Sequence, residues 1–276
     1  MILKPGLYIV STPIGNFADI TLRAIATLKN SDIILCEDTR ISQKLLAKYD
    51  IHTKLQIYND HSDKKDRERI ISLIAEGNIV SLISDAGTPL ISDPGYKLSR
   101  DLRMLNCHID VIPGVSAPIT ALTLSTLPTD RFLFHGFLPK TIESKKKIFS
   151  ELVNLKATLV FFETVPRLLN TLSVVKEILG NREICVAREL TKRYQEIKTG
   201  DIDEIIAFYQ KNIFKGEIVL LISGNLQEKE EVDLEKFIEF CLNRNLSNKT
   251  TTELAYEKFK NIYSKKEIYK LVNESD

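Results

Sequence analysis

The segment Ser81–Gly95, SLISDAGTPLISDPG, constrains the fold more than any other part of this chain. The apolar run over 79–83 predicts a buried strand, and helical periodicity begins at Tyr96. The turn between them is rich in Asp, Gly and Pro, and its small residues, such as Gly87, let a ligand lie close to the backbone. Asp85 places a carboxylate at the carboxyl end of a strand, where open α/β sheets bind their ligands. The segment therefore predicts a strand, a ligand-binding loop and a helix, with an N-cap or Asx-turn as the structural alternative for Asp85.

Strand-like and helix-like patterns alternate through the first half of the chain, which predicts a mostly parallel sheet with helices on its faces. The predicted strands are 8–10, 33–36, 55–58, 80–83 and 109–112. The predicted helices lie near 21–29, 42–49, 65–75, 96–105 and 115–124. Polar, turn-forming loops follow the strands, so we expect a cleft at the carboxyl edge of the sheet.

A second alternating set follows a boundary at 127–131. We therefore predict an N-terminal α/β domain over 1–126 and a C-terminal α/β domain over 131–224, with a small helical tail over 232–276. The tail is too short to bury much surface alone. Structural packing and contact with RNA or another partner both stay open for it.

Composition narrows the class of protein. The 276 residues, 43% hydrophobic and 27% charged, are typical of a globular protein of about two domains. We find neither an apolar segment of membrane-spanning length nor a signal peptide, so we expect no membrane association and a cytoplasmic location. The formal net charge of +1 neither requires nor excludes nucleic acid.

Several kinds of cofactor site are disfavoured by absent motifs. The four cysteines and four histidines lack metal-ligand spacing, so we expect no metal site, and we predict that the cysteines are buried free thiols. Neither GxGxxG after the first strand nor GxxxxGK[ST] is present, which disfavours nicotinamide, flavin and P-loop enzymes. A nucleoside-like ligand without phosphates stays open.

Six motifs, taken in order, resemble the ribosomal RNA small-subunit methyltransferase I family of the tetrapyrrole-methylase superfamily (class III methyltransferases). They are TPIGNFADITLRAI, EDTR, SDAGTPLISDPGY, PGVSAPITAL, TDRFLFHGFLP and ARELTK, and the resemblance covers 7–224 and, more weakly, the tail. It implies two α/β domains with S-adenosylmethionine in the cleft between them. It also implies methyl transfer to the ribose 2′-oxygen of a cytidine in the decoding region of 16S rRNA, by a homodimer acting on the assembled 30S subunit.

The resemblance further implies which residues hold S-adenosylmethionine. These are Pro13, Asp85, Ala86, Gly87, Thr88, Ser116, Ala117, Phe162, Glu163, Ala187, Gly216 and Glu217. The residue pattern by itself supports the loops at 85–88 and 116–117 and is silent on the others.

Four residues are candidates for the catalytic base or for substrate contact: Arg40, His61, Glu189 and Lys192. A ribose hydroxyl is a poor nucleophile while protonated, so a base or a charge that favours the alkoxide would help. His61 could take a proton near neutral pH, and Lys192 could stabilise the alkoxide or hold a phosphate. The alternatives are a hydrogen-bonding turn for His61 and a solvated basic turn for Lys192. For Glu189 the alternative is an ion pair with Arg188, and for Arg40 it is an ion pair with Glu37.

The sequence leaves two roles open for a run of three lysines. The run 145–147 opens a predicted helix and is either a contact for the rRNA backbone or a solvated face.

The chain could also be a superfamily enzyme that acts on a tetrapyrrole or diphthamide precursor, or a non-catalytic factor that binds the small subunit. The first loop, 11–16, lacks a GxGPG-like pattern, which disfavours the precursor enzymes, and the intact cofactor loops disfavour a binding factor.

Overall fold

Residues 2–59, 62–211, 214–225, 234–244, 246–260 and 263–274 are described by the computed structural model of this chain. The chain divides into two units, Met1–Gly224 and Asn225–Asp276. The larger unit contains two sheets, and the predicted boundary at 127–131 falls between them. Both sheets belong to the same unit, so the division into domains 1–126 and 131–224 stays a prediction.

The first sheet is parallel throughout its described strands, with the order β3-β2-β4-β1-β5. The strands are β1 (Gly6–Val10), β2 (Ile33–Cys36), β3 (Lys54–Ile57), β4 (Ile79–Leu82) and β5 (Ile109–Ile112). The helices that follow them are α1 (Leu22–Lys29), α2 (Thr39–Lys48), α3 (Lys64–Ala75), α4 (Tyr96–Met104) and α5 (Ala117–Leu124). The predicted parallel sheet with alternating helices is confirmed here.

Strand β1 shows why this sheet is buried on both faces. Tyr8 and Val10 pack into one apolar cluster, whereas Leu7 and Ile9 pack into a second cluster. Successive side chains of a strand point to opposite faces, so a continuous apolar run serves two layers of helices. Strands β4, β2 and β3 lie on one side of β1, and β5 pairs with β1 on the other side. The order of the strands therefore reverses at β1. The loops after β1 and β4 therefore lie where open α/β sheets bind ligands.

The second sheet is mixed, whereas the first sheet is parallel. Its strands are β6 (Phe132–Phe137), β7 (Thr158–Thr164), β8 (Glu183–Arg188), β9 (Glu196–Asp201) and β10 (Glu217–Ile222), in the order β6-β7-β10-β8-β9. Its helices are α6 (Ile142–Leu152), α7 (Val165–Leu179) and α8 (Ile202–Lys211). Among the described strands, β6 and β7 pair in parallel, and the other pairings are antiparallel. The short 189–195 connection joins β8 and β9 as an antiparallel pair, which needs no crossover helix.

The smaller unit forms, in its described part, the helices α9 (Leu234–Leu242), α10 (Asn248–Phe259) and α11 (Lys265–Glu274). Their apolar faces enclose a core that includes Ile238, Ala255 and Ile268. The side chain of Ser247 caps α10 by accepting the Thr250 N–H. The predicted helical tail is therefore present.

The prediction of buried free thiols is confirmed for three cysteines and is wrong for the burial of Cys107. Cys36, Cys185 and Cys241 are buried free thiols, and Cys107 is half-buried and also free. Burial raises the pKa of Cys36 and of Cys185, which keeps both thiols protonated and unreactive. Across the described ranges, we find no helix with the length and apolar character needed to cross a bilayer.

Candidate active site

A cavity of about 350 Å³ lies where loops of the first sheet meet strands of the second sheet. This volume falls at the lower end of the range for small-molecule sites. The first-sheet side supplies Ile14, Glu37, Asp85, Ala86, Gly87, Thr88, Ile91, Asp93, Ser116, Ala117 and Pro118. The second-sheet side supplies Phe137, Phe162, Glu163, Thr164, Ala187, Leu190, Glu217, Ile218 and Val219.

The loops after β1 and β4 are fastened to each other beside this cavity. The Thr12 N–H donates to the Gly87 carbonyl at 2.8 Å, and the Gly87 N–H donates to the Thr12 carbonyl at 3.0 Å. The Thr12 hydroxyl also donates to the Ser84 carbonyl at 3.1 Å. Gly87 has a φ of +80°, a conformation that glycine adopts without strain. These bonds fix the 85–88 segment against the cavity.

Asp85 carries a carboxylate whose environment is set by tertiary structure. Its Oδ1 accepts the backbone N–H of Asp38, from the loop after β2, at 3.2 Å. Burial raises the pKa of the Asp85 carboxyl, and the bond from Asp38 only partly opposes that effect. Gly95, not Asp85, is the N-cap of α4. Asp85 therefore joins two loops and retains acceptor capacity beside the cavity.

The cavity lining includes the predicted cofactor residues with two exceptions, Pro13 and Gly216. Pro13 is buried next to Ile14, which does line the cavity. Gly216 precedes Glu217 and packs against Glu189, because a Cβ at Gly216 would lie 2.4 Å from the Glu189 Oε1. Lining a cavity is not contact with a ligand, so these cofactor roles stay predictions.

Glu163 lines the cavity, but its carboxylate is fully buried and engaged within the protein. It accepts the Thr171 hydroxyl at 2.7 Å and pairs with Arg167 at 3.1 Å and with Lys145 at 3.5 Å. The Lys145 side chain is only 3% exposed, and its Nζ donates to Thr171. Desolvation lowers the pKa of Lys145, with the charge of Glu163 acting in opposition. The expectation of rRNA contact or a solvated face is therefore wrong for Lys145, because the side chain turns inward to reach Glu163.

Lys192 and Glu189 form an ion-pair network at the edge of the cavity without lining it. The Lys192 Nζ lies 3.0 Å from the Glu189 Oε1 and 2.7 Å from the Glu217 Oε2. The Glu217 N–H donates to the Glu189 Oε1 at 3.0 Å. Desolvation disfavours the charged lysine, but the bonds to Glu217 and Glu189 outweigh it and raise the pKa of Lys192. Lys192 is therefore a cation at neutral pH, and in that form it has no free lone pair to accept a proton.

The pKa of Glu189 is lowered. Desolvation opposes this direction, and the bonds from Glu217 and Lys192 outweigh it. The alternative of a pair between Glu189 and Arg188 is not what forms, because Arg188 pairs with Glu196 at 3.3 Å. Glu189 is thus an ionised carboxylate that positions Lys192.

Arg40 and His61 complete the set of candidate catalytic residues. Arg40 is exposed, does not line the cavity, and donates from Nε to the Asp38 Oδ1 at 3.0 Å. This bond holds the pKa of the Asp38 carboxyl at about 2. Arg40 thus pairs with Asp38, two positions before it in the chain. His61 lies outside the described residues.

The sequence analysis missed several lining residues, and only some of them carry a local cue in the sequence. Glu37 stands directly after the predicted strand 33–36, at the same sheet edge as Asp85. Phe137 follows a glycine at the end of a strand, which is a weaker cue. Ile91 carries no cue in the sequence, since it enters the cavity only through the folding of the 84–95 loop.

Residues 6–206 match the family described as Tetrapyrrole (Corrin/Porphyrin) Methylases. The chain belongs to this family. It is 80% identical, over 99% of its length and 98% of the relative's, to the Ribosomal RNA small subunit methyltransferase I of Rickettsia prowazekii (strain Madrid E). It is 40% identical to the protein of that name from Escherichia coli O157:H7, over 82% of this chain and 80% of the relative. Within the family, the chain is a member of this methyltransferase I group and uses S-adenosylmethionine as its methyl donor.

Two solved structures share the fold of this chain. Uroporphyrin-III-C-methyltransferase from Thermus thermophilus matches with a TM-score of 0.56 at 19% identity, covering 79% of this chain and 94% of that one. Diphthine synthase matches with a TM-score of 0.60 at 11% identity, covering 79% and 89%. At these identities the likeness shows the fold alone.

The chemistry of the cavity residues fits S-adenosylmethionine. Buried apolar groups, among them Ile14, Leu190 and Val219, suit an adenine ring. The carboxylates of Asp85 and Glu217 complement the positive sulfonium and ammonium groups. When bound, this cofactor supplies a methyl group activated for transfer by its attachment to a sulfonium.

Gly216→Ala is expected to disturb both stability and donor binding in this methyltransferase. Gly216 has a φ of +111°, and the added Cβ would meet the Glu189 carboxylate at 2.4 Å. The carboxylate must then leave Lys192, and Glu217 loses the acceptor of its N–H. Gly77→Ala is the matched control, since Gly77 has a φ of +97° with nothing within 4 Å.

In urea unfolding, we expect Gly77→Ala to lose about 1–2 kcal/mol through backbone strain alone. Gly216→Ala should lose more, and calorimetry should show weaker binding of S-adenosylmethionine for this variant only. If both variants lose the same stability and keep donor binding intact, the Glu189–Lys192–Glu217 network does not support the donor site.

Proposed function

We propose that this chain methylates the ribose 2′-oxygen of a cytidine in the decoding region of 16S rRNA, acting on the assembled 30S subunit. The observation that carries the proposal is 80% identity over nearly the whole chain to a protein named Ribosomal RNA small subunit methyltransferase I. That name supports RNA of the small subunit as the substrate. The 2′-oxygen, the cytidine and the decoding region rest on the resemblance of the six motifs.

The cavity residues are assigned to the donor in this proposal. Asp85 accepts hydrogen bonds from the donor, and Ala86–Thr88 lie against it, because the Thr12–Gly87 bridge holds this segment in place. Ser116 and Ala117 cover it from the start of α5, and Phe162 and Ala187 do so from β7 and β8. A donor held on both sheets is fixed in orientation, which is the main requirement for an in-line transfer.

The candidate catalytic residues have different roles in this proposal. Lys192, held cationic by Glu189 and Glu217, favours the alkoxide form of the 2′-oxygen electrostatically. Arg40, exposed beside the cavity-lining Glu37, contacts an RNA phosphate. His61 is the candidate proton acceptor, because imidazole titrates near neutral pH.

The proposal extends to assembly and location. The chain acts as a homodimer in the cytoplasm, where assembled 30S subunits are found. Light scattering on the purified protein would test the dimer, and a mass near 31.4 kDa would contradict it.

The testing experiment offers radiolabelled S-adenosylmethionine with unmodified 30S subunits, and with free 16S rRNA for comparison. A 2′-O-methyl group blocks cleavage at its own nucleotide, so resistant fragments locate the label. We expect one labelled cytidine, with 30S subunits preferred. Arg40→Ala, His61→Ala, Glu189→Gln and Lys192→Met, run in parallel, would rank the four candidates.

Other outcomes point to other functions. Label on a base or on another RNA would overturn the ribose assignment. Donor binding without transfer to any RNA would favour a tetrapyrrole or diphthamide precursor as acceptor. Binding to 30S subunits with neither donor binding nor transfer would favour a non-catalytic factor.

A further inference from the structure

The cavity has a buried apolar floor and an exposed apolar rim. Ile14, Ala187 and Val219 line the floor and are 8%, 1% and 4% exposed. Phe137 lines the same cavity yet is 59% exposed, and Ile91 is 46% exposed. Phe137 and Ile91 together leave apolar surface in water at the mouth of the cavity, and grouped exposed apolar surface marks places where a partner binds.

Phe137 reaches the rim through an irregularity in β6. The register between β6 and β7 shifts between Phe134 and Gly136, so β6 contains an extra residue there. In a regular strand, Phe134 and Phe137 would lie on opposite faces, because they are three positions apart. With the bulge, both rings contact Phe162, at centroid distances of 5.1 Å and 5.0 Å. The bulge therefore turns Phe137 to the cavity face, a common use of bulges beside binding sites.

Glycine at position 136 makes this bulge possible. Gly136 has a φ of +86°, and a Cβ there would lie 2.9 Å from the Ser92 Oγ. Ser92 belongs to the 84–95 loop and itself has a φ of +64°, which is uncommon for a residue other than glycine. Two unusual backbone positions thus meet where the first-sheet loop reaches β6, next to Phe137. Backbone strain of this kind persists where the surrounding structure maintains it.

We propose that Phe137 is the platform on which the base of the target nucleotide stacks; the inference rests on the proposed function. The Phe137 ring makes a tilted contact with Phe162, with 5.0 Å between the ring centroids, and more than half of the surface of Phe137 stays open to solvent. An enzyme that acts on a ribose must hold the attached base, and unstacked RNA bases are held on aromatic side chains. The buried floor suits the adenine of the donor, so the exposed rim is left for the substrate.

The test measures donor affinity and substrate kinetics separately in three variants. Phe137→Ala removes the platform, and Phe137→Tyr restores an aromatic ring. Phe132→Ala is the matched control, since Phe132 is a 42% exposed phenylalanine at the other end of β6 and does not line the cavity. Calorimetry gives the Kd for S-adenosylmethionine, and transfer to 30S subunits at saturating donor gives kcat and KM. Thermal melting confirms that each variant is folded.

We expect Phe137→Ala to lower kcat/KM for 30S subunits by roughly 5- to 100-fold, the range for losing one base–aromatic stack. The donor Kd should stay at its wild-type value, because the ring is assigned to the substrate, and Phe137→Tyr should recover most of the loss in kcat/KM. A parallel loss of donor affinity would overturn the inference and assign the ring to the donor's adenine. Unchanged kcat/KM in Phe137→Ala, with transfer by the wild type intact, would overturn this inference alone. No transfer by the wild type would overturn the proposed function and the inference together.

Discussion

Asp85→Asn is expected to weaken binding of S-adenosylmethionine by about 10- to 100-fold, and methyl transfer at limiting donor should fall with it. This range corresponds to the loss of one hydrogen bond to a charged group. The substitution is nearly isosteric, and the new amide oxygen can still accept the Asp38 N–H that Oδ1 accepts at 3.2 Å. The loop should therefore keep its shape, and the loss would report the charge of Asp85. Calorimetry on the purified protein measures it.

The pH dependence of the same equilibrium provides a second readout. Burial raises the pKa of Asp85, so its carboxylate is protonated at a higher pH than an exposed aspartate, whose pKa is about 3.9. Donor affinity in the wild type should fall as the pH drops from 7 through this raised pKa. Asp85→Asn has no such proton to gain, so its affinity should change less over the same interval.

Asp130→Asn is the control, because Asp130 is exposed and does not line the cavity. It should match the wild type in both affinity and pH dependence. Wild-type affinity in Asp85→Asn at neutral pH would sink the assignment of this carboxylate to the donor.

The largest expected effect on stability comes from Lys145→Met. Lys145 and Glu163 are both buried, and removing one partner of a buried pair costs about 3–5 kcal/mol, because a charge is left without compensation. Arg167 still pairs with Glu163 at 3.1 Å, so we expect a value near the lower end. The free energy of unfolding in urea at neutral pH measures it.

Two further variants test that explanation. Lys146→Met removes the neighbouring lysine, whose pair with Glu177 is partly exposed, and should cost at most about 1 kcal/mol. The double variant Lys145→Met/Glu163→Gln removes both charges and should be more stable than Lys145→Met alone. If the double variant is no more stable than Lys145→Met alone, the uncompensated charge of Glu163 is not the cause of the loss and the account fails.

Two loops of the cavity lining were predictable from local signals. The loops at 85–88 and 116–117 follow apolar strands, and parallel strands bring their carboxyl ends to one edge. The structure places these residues on the cavity. The pairing of Lys192 with Glu217 was not predictable in this way, because Glu217 is 25 positions away and arrives through the pairing of β10 with β8.

The sequence by itself determined the succession of strands and helices, the parallel first sheet and the positions of its loops. These properties depend on local apolar periodicity and on turn residues, which act over a few positions. Tertiary structure decided the mixed pairing of the second sheet, the burial of Lys145 against Glu163 and the face on which Phe137 lies. Each of these depends on a partner that is distant in the chain or on a one-residue shift of register, and local periodicity carries no information about either.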